Sequence, residues 1–139
     1  MERYTLFMIK PNATQKNKIG EILAIVEKEG FVIVDMKMLY MDKAFAEYFY
    51  QEHKGKVFFE RLVNFMSSGR TVACVLKREN GVSYLRKVVG STDPNEAEDG
   101  TIRKLYADDV TRNAVHASDS VEHAKEEIKK IFKDFAFDK

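Results

Sequence analysis

The sequence predicts an α/β (α+β) sandwich, in which helices pack on a mostly antiparallel sheet of four strands. Two runs, Tyr4–Ile9 and Thr71–Leu76, are apolar on both alternating faces, which is typical of strands covered on both sides. Amphipathic helices separate the strand-like runs, so the chain contains two β-α-β units. The fold class follows from these buried strands and from their alternation with helices.

Length, charge and cysteine content favour one intracellular domain. The chain has 139 residues, enough for a single domain with a real core, and we expect residues 1–139 to form it. A net charge of +1 argues against a basic nucleic-acid coat. Cys74 is the single cysteine, no signal-peptide pattern is present, and no apolar run is long enough to cross a bilayer. We therefore expect a cytoplasmic protein that needs neither a membrane nor nucleic acid.

The first half of the chain begins as a β-α-β unit. Apolar residues at helical spacing predict a helix over Ile19–Glu29, ended by Gly30. Phe31–Tyr40 alternates as a strand, with Asp35 and Lys37 on its wetter face. The opposite, apolar face is predicted to carry Val32, Val34, Met36, Met38 and Tyr40.

Four further helices complete the prediction, and the arrangement is of ferredoxin-like type, βαββαβ with extra helices. Asp42 is placed to cap the first of them. Asp119, with Glu122 three residues later, is similar to a capping box for the last one. The helix capped by Asp42 is predicted to end near Glu52. The other three helices are predicted over Val57–Ser67, Gly81–Val89 and Val121–Phe135.

The stretch from Gly90 to Arg112 predicts a long functional loop. It is polar, contains Pro94 and lacks clear periodicity. Loops of this length inside a compact domain usually carry function or are disordered. Turn signals at Asp93-Pro94 and Asp99-Gly100 favour an ordered functional loop.

His116 is the strongest candidate for chemistry. It lies among small residues, on a short strand or turn just before a helix N-terminus, where free backbone N–H groups favour anions. A packed structural histidine is the alternative interpretation. Glu127 lies at the edge of the apolar stripe of the following helix, where its carboxylate can hydrogen-bond the imidazole and fix its tautomer.

Cations at the ends of predicted elements indicate a phosphate ligand. Arginines and lysines gathered around a histidine suit phosphate oxygens, and the candidates are Lys10, Arg86, Arg103 and Arg112. The sequence has no Walker-type or kinase-type glycine-rich loop. If the reaction is phosphoryl transfer, the histidine must supply the chemistry.

The segment Asn113-Ala-Val-His-Ala-Ser-Asp-Ser120 resembles the active-site signature of nucleoside diphosphate kinases. The resemblance extends over nearly the whole chain, because further segments follow in order and at the right separations. They include Met8–Pro11, Ile19–Ile22, Phe58-Phe59, Ser68-Gly69, Gly90–Pro94 and Gly100–Arg103. The chain ends at Lys139, as is typical of the short prokaryotic type.

The resemblance implies a ping-pong transfer of the γ-phosphate from a nucleoside triphosphate to a nucleoside diphosphate, through a phosphohistidine. His116 would be the nucleophile, attacking through Nδ1, and Glu127 with Ser118 would orient its ring. Lys10 would lie near the transferred phosphate and the ribose, and Tyr50 beside the phosphorylated histidine.

The resemblance also implies a nucleotide site. Arg86, Thr92 and Arg103 would hold the phosphates, with Mg²⁺ carried by the phosphates and not by a protein cluster. Phe58 would stack on the base, and the other contacts would be made by Leu62, Val110 and, at the ribose 3′-hydroxyl, Asn113. Stacking favours broad base tolerance. Family members assemble as tetramers or hexamers built on a common dimer, so we expect a homo-oligomer.

Three positions depart from the family pattern. Thr111 and Ala117 stand where glycine is common, and Asn12 stands where aspartate is usual. None of these changes removes a catalytic group. The two non-glycine residues leave open how the backbone runs beside the base and the histidine.

Two other functions compete with the kinase. A nucleic-acid-binding ferredoxin-like domain would need exposed aromatic residues on its central strands, and Thr71–Leu76 has none. A phosphohistidine carrier would accept phosphate from ATP without passing it to a nucleoside diphosphate.

Overall fold

The computed structural model describes residues 3–137, so the first two and last two residues of the predicted domain lie outside the described residues. Its strands are β1 Tyr4–Ile9, β2 Val32–Tyr40, β3 Arg70–Lys77 and β4 Val115–Ala117. Its helices are α1 Pro11–Gln15, α2 Ile19–Lys28, α3 Lys43–Phe49, α4 Phe59–Met66, α5 Gly81–Val89, α6 Ile102–Tyr106 and α7 Val121–Ile131, with a 3-10 turn at Gln51–His53 between α3 and α4.

The strands form one antiparallel sheet in the order β2-β3-β1-β4. Together with the helices, this sheet confirms the predicted ferredoxin-like class. β1 is central, between β3 and β4, as its two apolar faces predict. Its pairing with β4 sets Met8 opposite His116.

Two apolar cores cover the two faces of the sheet. Residues of α2, α5 and α6 pack on Phe7 and Ile9, while residues of α3, α4 and α7 pack on Leu6 and Met8. The successive residues of β1 alternate between these cores, as strand geometry requires. Cys74 is fully buried in the first core, and burial raises the pKa of its thiol to about 12, so the prediction of a core residue is confirmed. None of the helices in residues 3–137 has the length and apolar character needed to cross a membrane.

The predicted apolar face of β2 is wrong in two respects. A bulge between Ile33 and Asp35 breaks the alternation, so Val32 lies opposite Lys77 while Met36 lies opposite Cys74, on the other face. The apolar residues of this edge strand are also exposed: Val32 is 59% and Tyr40 73% accessible.

Helix ends differ from the predicted ones. The Asp42 cap is confirmed, since its Oδ1 accepts from Phe45 N at 2.7 Å, but α3 ends at Phe49 and a 3-10 turn continues to His53. α4 begins at Phe59 and α7 ends at Ile131, both inside their predicted ranges. The cap of α7 is Ser120, whose Oγ accepts from His123 N at 3.0 Å; Asp119 instead pairs with the His123 side chain.

The long loop is ordered by local hydrogen bonds. It contains α6, whose Thr101 cap accepts from Lys104 N at 3.3 Å. Near its end the Asp109 carboxylate accepts from the backbone N–H groups of Thr111 and Arg112. These bonds fix the local path of the loop, and Arg103 Nη2, which donates to Val115 O at 2.9 Å, ties it to β4.

Candidate active site

A cleft of about 380 Å³ opens beside β4, and we call it the main cleft. Apart from Ser118 and Arg112, the predicted site residues line it: Lys10, Tyr50, Phe58, Leu62, Arg86, Thr92, Arg103, Val110, Asn113, His116 and Glu127. Ser118 is fully buried behind the wall. Strand, loop and helix residues far apart in sequence therefore meet in one concave site. The predicted cation Arg112 instead lines a neighbouring cleft and pairs with Asp109 at 2.7 Å.

His116, Glu127 and Ser118 form a chain of hydrogen bonds. The His116 Nε2 lies 2.8 Å from Glu127 Oε1, and Ser118 Oγ donates to the same oxygen at 2.7 Å. The backbone N–H of Leu6 in β1 in turn donates to Ser118 Oγ at 3.3 Å. The neighbouring strand thus anchors the serine, the serine anchors the carboxylate, and the carboxylate orients the imidazole.

The imidazole is also confined by aromatic rings. The Phe49 and Tyr50 rings meet it edge-on, with centroids 5.6 and 6.1 Å away. Its Nδ1 has no hydrogen-bond partner in the part of the chain that the structure describes. With Nε2 committed to the carboxylate, Nδ1 is the nitrogen with a lone pair to offer.

Glu127 is ionised beside the histidine. Burial acts to raise the pKa of its carboxyl, but the charge and hydrogen bond of His116 and the hydroxyl of Ser118 together hold the pKa below its usual value. A buried carboxylate in this position stabilises positive charge on the ring, such as the charge that forms when Nδ1 becomes bonded to phosphorus.

Lys10 is a buried amine at the end of β1. Its Nζ donates to Asn113 Oδ1 at 2.9 Å, and the backbone N–H of Lys10 donates to Ala114 O at 2.8 Å. Burial, and next the charge of Arg103, lower the pKa of the amine to about 7. The site therefore holds a lysine whose charge depends on whether an anion is beside it.

Arg103 is held with its charge uncompensated. Its two terminal nitrogens donate to Gly90 O at 3.1 Å and Val115 O at 2.9 Å, and both acceptors are neutral carbonyls. Burial, and then the charge of Arg86, lower its pKa to about 10. Arg86 projects from the last turns of α5 into the main cleft. Two guanidinium groups and an amine, none of which forms a salt bridge within residues 3–137, make a strong site for a polyanion.

Aromatic rings run from His116 to the mouth of the main cleft, which we define by the exposed residues Phe58 and Val110. Centroid distances of 6.1, 6.4 and 5.3 Å link His116 to Tyr50, Tyr50 to His53, and His53 to Phe58. The Tyr50 hydroxyl is buried without a partner among residues 3–137, and burial together with the charge of Glu127 raises its pKa. Phe58 is 37% and Val110 52% accessible, so the mouth offers apolar surface to a ligand.

Six further residues line the main cleft. Thr111 and Ala117 are two of the departures from the family pattern, and the other four were not selected as site residues: Glu52, His53, Arg61 and Asp119. The sequence does give an indication for His53, because it lies in a polar stretch between two predicted helices that are rich in aromatic residues. Burial and the nearby Lys56 lower its pKa. Glu52 and Asp119 both pair with His123, which raises the pKa of that histidine through its hydrogen bond to Asp119. Arg61 carried no signal of its own.

The three departures from the family pattern cause no backbone strain. The residues with positive φ outside glycine are Asn17, Asn80 and Ala114 over residues 3–137, so Thr111 and Ala117 both adopt φ values open to any residue. Asn12 Nδ2 donates to Asp108 Oδ2 at 3.1 Å and to Arg112 O at 3.0 Å. An aspartate at position 12 would set two carboxylates against each other.

The donor groups fit a cation that arrives with a nucleotide. No cluster of three or more histidine, cysteine or acidic side chains able to hold a metal exists within residues 3–137. Two exposed carboxylates line the main cleft, Asp119 with 58% and Glu52 with 42% of the side chain accessible. Mg²⁺ commonly takes one carboxylate together with substrate phosphates and water, which matches this arrangement.

The chain matches a known protein family over nearly its whole length. The family model for nucleoside diphosphate kinases matches residues 3–137. The nucleoside diphosphate kinase of Methanocaldococcus jannaschii is 49% identical over 140 residues, covering all of both chains. That of Sulfolobus acidocaldarius is 48% identical over 130 residues, covering 94% of this chain and 90% of its own.

Solved structures that superpose on this chain belong to the same family as its sequence relatives. The Aquifex aeolicus nucleoside diphosphate kinase superposes with a TM-score of 0.92 at 41% identity and covers 94% of both chains. The apo enzyme of Encephalitozoon cuniculi also reaches 0.92, at 34% identity, over 95% of this chain and 90% of its own.

Proposed function

Because the chain belongs to the nucleoside diphosphate kinase family, and is an enzyme acting on nucleotides, we propose that it works through a phosphohistidine at His116. The γ-phosphate of a nucleoside triphosphate moves to this ring and then to a nucleoside diphosphate. The two half-reactions share one site, so the first product leaves before the second substrate binds.

The observation that carries the proposal is the hydrogen bond between His116 Nε2 and Glu127 Oε1 in a cleft lined by Lys10, Arg86 and Arg103. The bond keeps the ring proton on Nε2 and leaves the lone pair on Nδ1. That lone pair attacks the γ-phosphorus, a nitrogen–phosphorus bond forms, and the bond to the bridging oxygen breaks. The nucleoside diphosphate leaves with the electron pair, and the second half-reaction runs these steps in reverse.

Charge compensation supplies most of the catalysis. Phosphoryl transfer spreads negative charge over the phosphate oxygens, and fixed positive groups stabilise it without reorganisation. We assign Lys10, Arg86 and Arg103 to this task, with the hydroxyls of Tyr50 and Thr92 as donors. The unpartnered, buried hydroxyl of Tyr50 supports its assignment, since a phosphoryl oxygen would satisfy it.

The nucleoside would occupy the mouth. We assign Phe58 to one side of the base and Val110 with Leu62 to the other side. We assign Asn113 to the ribose 3′-hydroxyl. Asn113 already joins Lys10 to the loop carbonyl of Val110, which supports a role in setting phosphate and sugar relative to each other. Apolar stacking accepts every base, so broad base tolerance follows.

A divalent cation, Mg²⁺ in our proposal, would enter with the nucleotide and neutralise charge on its phosphate oxygens. The phosphates would hold it, and we assign the assisting carboxylate to Asp119, which is more accessible than Glu52, the other exposed acid of the main cleft. The remaining carboxylate beside the histidine, Glu127, is committed to His116 and Ser118.

We also propose that the protein is a homo-oligomer, a tetramer or hexamer built on a dimer. The exposed apolar residues of the edge strand β2 support a contact with a second copy, because an unpaired strand with apolar side chains favours pairing. Light scattering of wild type and Met38→Glu tests it, with a smaller particle expected for the variant.

Two broader points remain proposals. Residues 1–139 act as one domain, which is supported by a single sheet with a core on each face. The compartment is the cytoplasm, which the buried free thiol of Cys74 supports, since reducing compartments keep such thiols free.

The test is incubation with γ-labelled ATP and Mg²⁺. Wild type is expected to gain an acid-labile, base-stable label and to pass it to added nucleoside diphosphates. The label should vanish in His116→Ala, and full labelling of that variant would contradict the proposal. Labelling of wild type without transfer to a diphosphate would identify a phosphohistidine carrier instead.

A further inference from the structure

Arg61 lies at the mouth of the main cleft, beside the surfaces assigned to the base. It is three residues after Phe58 and directly before Leu62 on α4, so helical spacing sets it beside the Phe58 ring. It lines the main cleft together with Phe58, Val110 and Thr111. Arg61, Val110 and Thr111 also line the neighbouring cleft, so Arg61 stands at the boundary between the two.

The guanidinium of Arg61 is available to a ligand. It makes no hydrogen bond or ion pair with any residue between 3 and 137 that the structure describes, and the residue is exposed. The carboxylates that line the two clefts already have partners. Glu52 and Asp119 pair with His123, Glu127 with His116, Asp108 with Lys16 and Asp109 with Arg112.

Stacking between Phe58 and Val110 treats all bases alike, so any discrimination must come from a polar group at the edge of the slot. An arginine fork matches the two acceptors O6 and N7 of guanine, whereas adenine presents an amino donor beside N7. Two cations lie near Phe58. Lys56 Nζ is 5.7 Å from the centroid of the Phe58 ring, but it pairs with His53 Nδ1 at 3.3 Å. Arg61 lines the main cleft, has five N–H donors and makes no hydrogen bond or ion pair within residues 3–137.

We propose that Arg61 reads the acceptor edge of the base and makes guanine nucleotides better substrates than adenine nucleotides. The inference rests on the proposed function, because it assumes a base between Phe58 and Val110. It adds a preference to the broad tolerance that stacking provides. Water competes at this exposed site, so the preference is modest.

The experiment is a one-tube competition. Labelled dTTP donates to an equimolar mixture of GDP and ADP, and the product ratio reports the ratio of kcat/KM values directly. We expect wild type to favour GDP by about fivefold, the lower end for a two-bond contact between arginine and guanine. Arg61→Gln should bring the ratio to within about twofold of unity, since the contact is lost.

Inosine diphosphate identifies the edge that is read, because it retains O6 and N7 but lacks the 2-amino group. It should compete like GDP in wild type and lose that advantage in Arg61→Gln. Glu60→Gln is the matched control, one position earlier on the same helix and exposed, and it should keep the wild-type ratio.

Three results would overturn the inference while leaving the kinase intact: no GDP preference in wild type, an unchanged ratio in Arg61→Gln, or inosine diphosphate competing like ADP. An equal loss for every acceptor in Arg61→Gln would also overturn it, since a phosphate or sugar contact would then explain the effect. Absence of any transfer by wild type contradicts the proposed function itself, and the inference with it.

Discussion

At the inner end of the main cleft, His116, Glu127 and Ser118 form a continuous chain of hydrogen bonds that is tied to β1, whereas at the mouth Phe58, Val110 and Arg61 are exposed. The side chains of the inner end are held by hydrogen bonds to one another, whereas those of the mouth make few hydrogen bonds and are exposed. Phosphoryl transfer depends on sub-ångström placement, which committed side chains supply. Base binding depends on apolar area, which tolerates looser contacts.

The contrast extends to charge. The inner end carries buried cations whose pKa values are lowered, Lys10 and Arg103, while the cations near Phe58 at the mouth, Lys56 and Arg61, are exposed. Buried cations without carboxylate partners are electrostatically unsatisfied until an anion arrives. Variants at the inner end are therefore expected to change turnover, and variants at the mouth are expected to change substrate affinity and preference.

The largest effect after loss of His116 is expected for Glu127→Gln. The amide can still accept from Nε2 but cannot compensate positive charge on the ring, so kcat should fall about 100-fold, a size common for groups that assist proton and charge placement. Nucleotide affinity, measured by calorimetry, should change little. Unchanged kcat would return Glu127 to a structural role.

Titration of Lys10 should make nucleotide binding weaken as pH rises. With a pKa of about 7 in the free protein, the amine is mostly charged at pH 6 and mostly neutral at pH 8. A bound phosphate favours the charged form, so binding at higher pH requires uptake of a proton, and affinity should fall about tenfold between those values.

Calorimetry in buffers of different ionisation enthalpy measures that proton directly. Wild type should take up close to one proton per nucleotide at pH 8, and Lys10→Met should take up markedly less. Equal uptake by the two proteins would assign the titration to another group.

A smaller change is expected for Phe58→Ala, which removes the ring assigned to stacking. The loss of one base–aromatic contact at a partly exposed site should raise KM about fivefold and leave kcat nearly unchanged. Kinetics with two different diphosphates check it, because stacking predicts a similar loss for each. A fall in kcat with constant KM would mean that the ring positions His53 or Tyr50 instead.

The smallest effect on catalysis is expected for Asn12→Asp, which tests the hydrogen bonds from Asn12 to the loop that carries Val110. The new carboxylate would face the Asp108 carboxylate, and the hydrogen bond that the Asn12 amide donates to it would be lost. The folded protein should be less stable by about 1 kcal/mol, the usual contribution of one hydrogen bond. Thermal melting at low and high salt measures it, with a smaller loss expected at high salt. Equal or higher stability would show that Lys16 compensates the added charge.

The strands illustrate which parts of the fold can be derived from sequence. β1 and β3 are buried on both faces, and a run of consecutive apolar residues has few other stable solutions. β2 has the same alternating pattern as a half-buried strand, yet a bulge divides its apolar residues between two faces and leaves them exposed. Periodicity contains no information on a bulge or on whether a face meets solvent.

The candidate site divides in the same way. The hydrogen bond between His116 and Glu127 can be predicted from the sequence, because it depends on the small neighbours of His116 and on the position of Glu127 at the edge of the apolar face of its helix. Both features follow from local strand and helix geometry. The loop that brings Arg103 and Asn113 to the same cleft is irregular, and its path depends on hydrogen bonds such as those of Asp109. Positions at the ends of predicted elements also indicate the cations Lys10, Arg86 and Arg103, whereas the remaining site residues depend on resemblance to a family.

The order of apolar and polar residues alone accounts for the fold class, the central strand and the histidine beside a carboxylate, since each depends on short-range periods. Tertiary packing decides the rest. Burial lowers the pKa of Lys10, the pairing of neighbouring acids leaves Arg61 without a partner, and the sheet edge leaves β2 exposed. Burial and pairing are properties of where distant segments meet, so no local pattern records them.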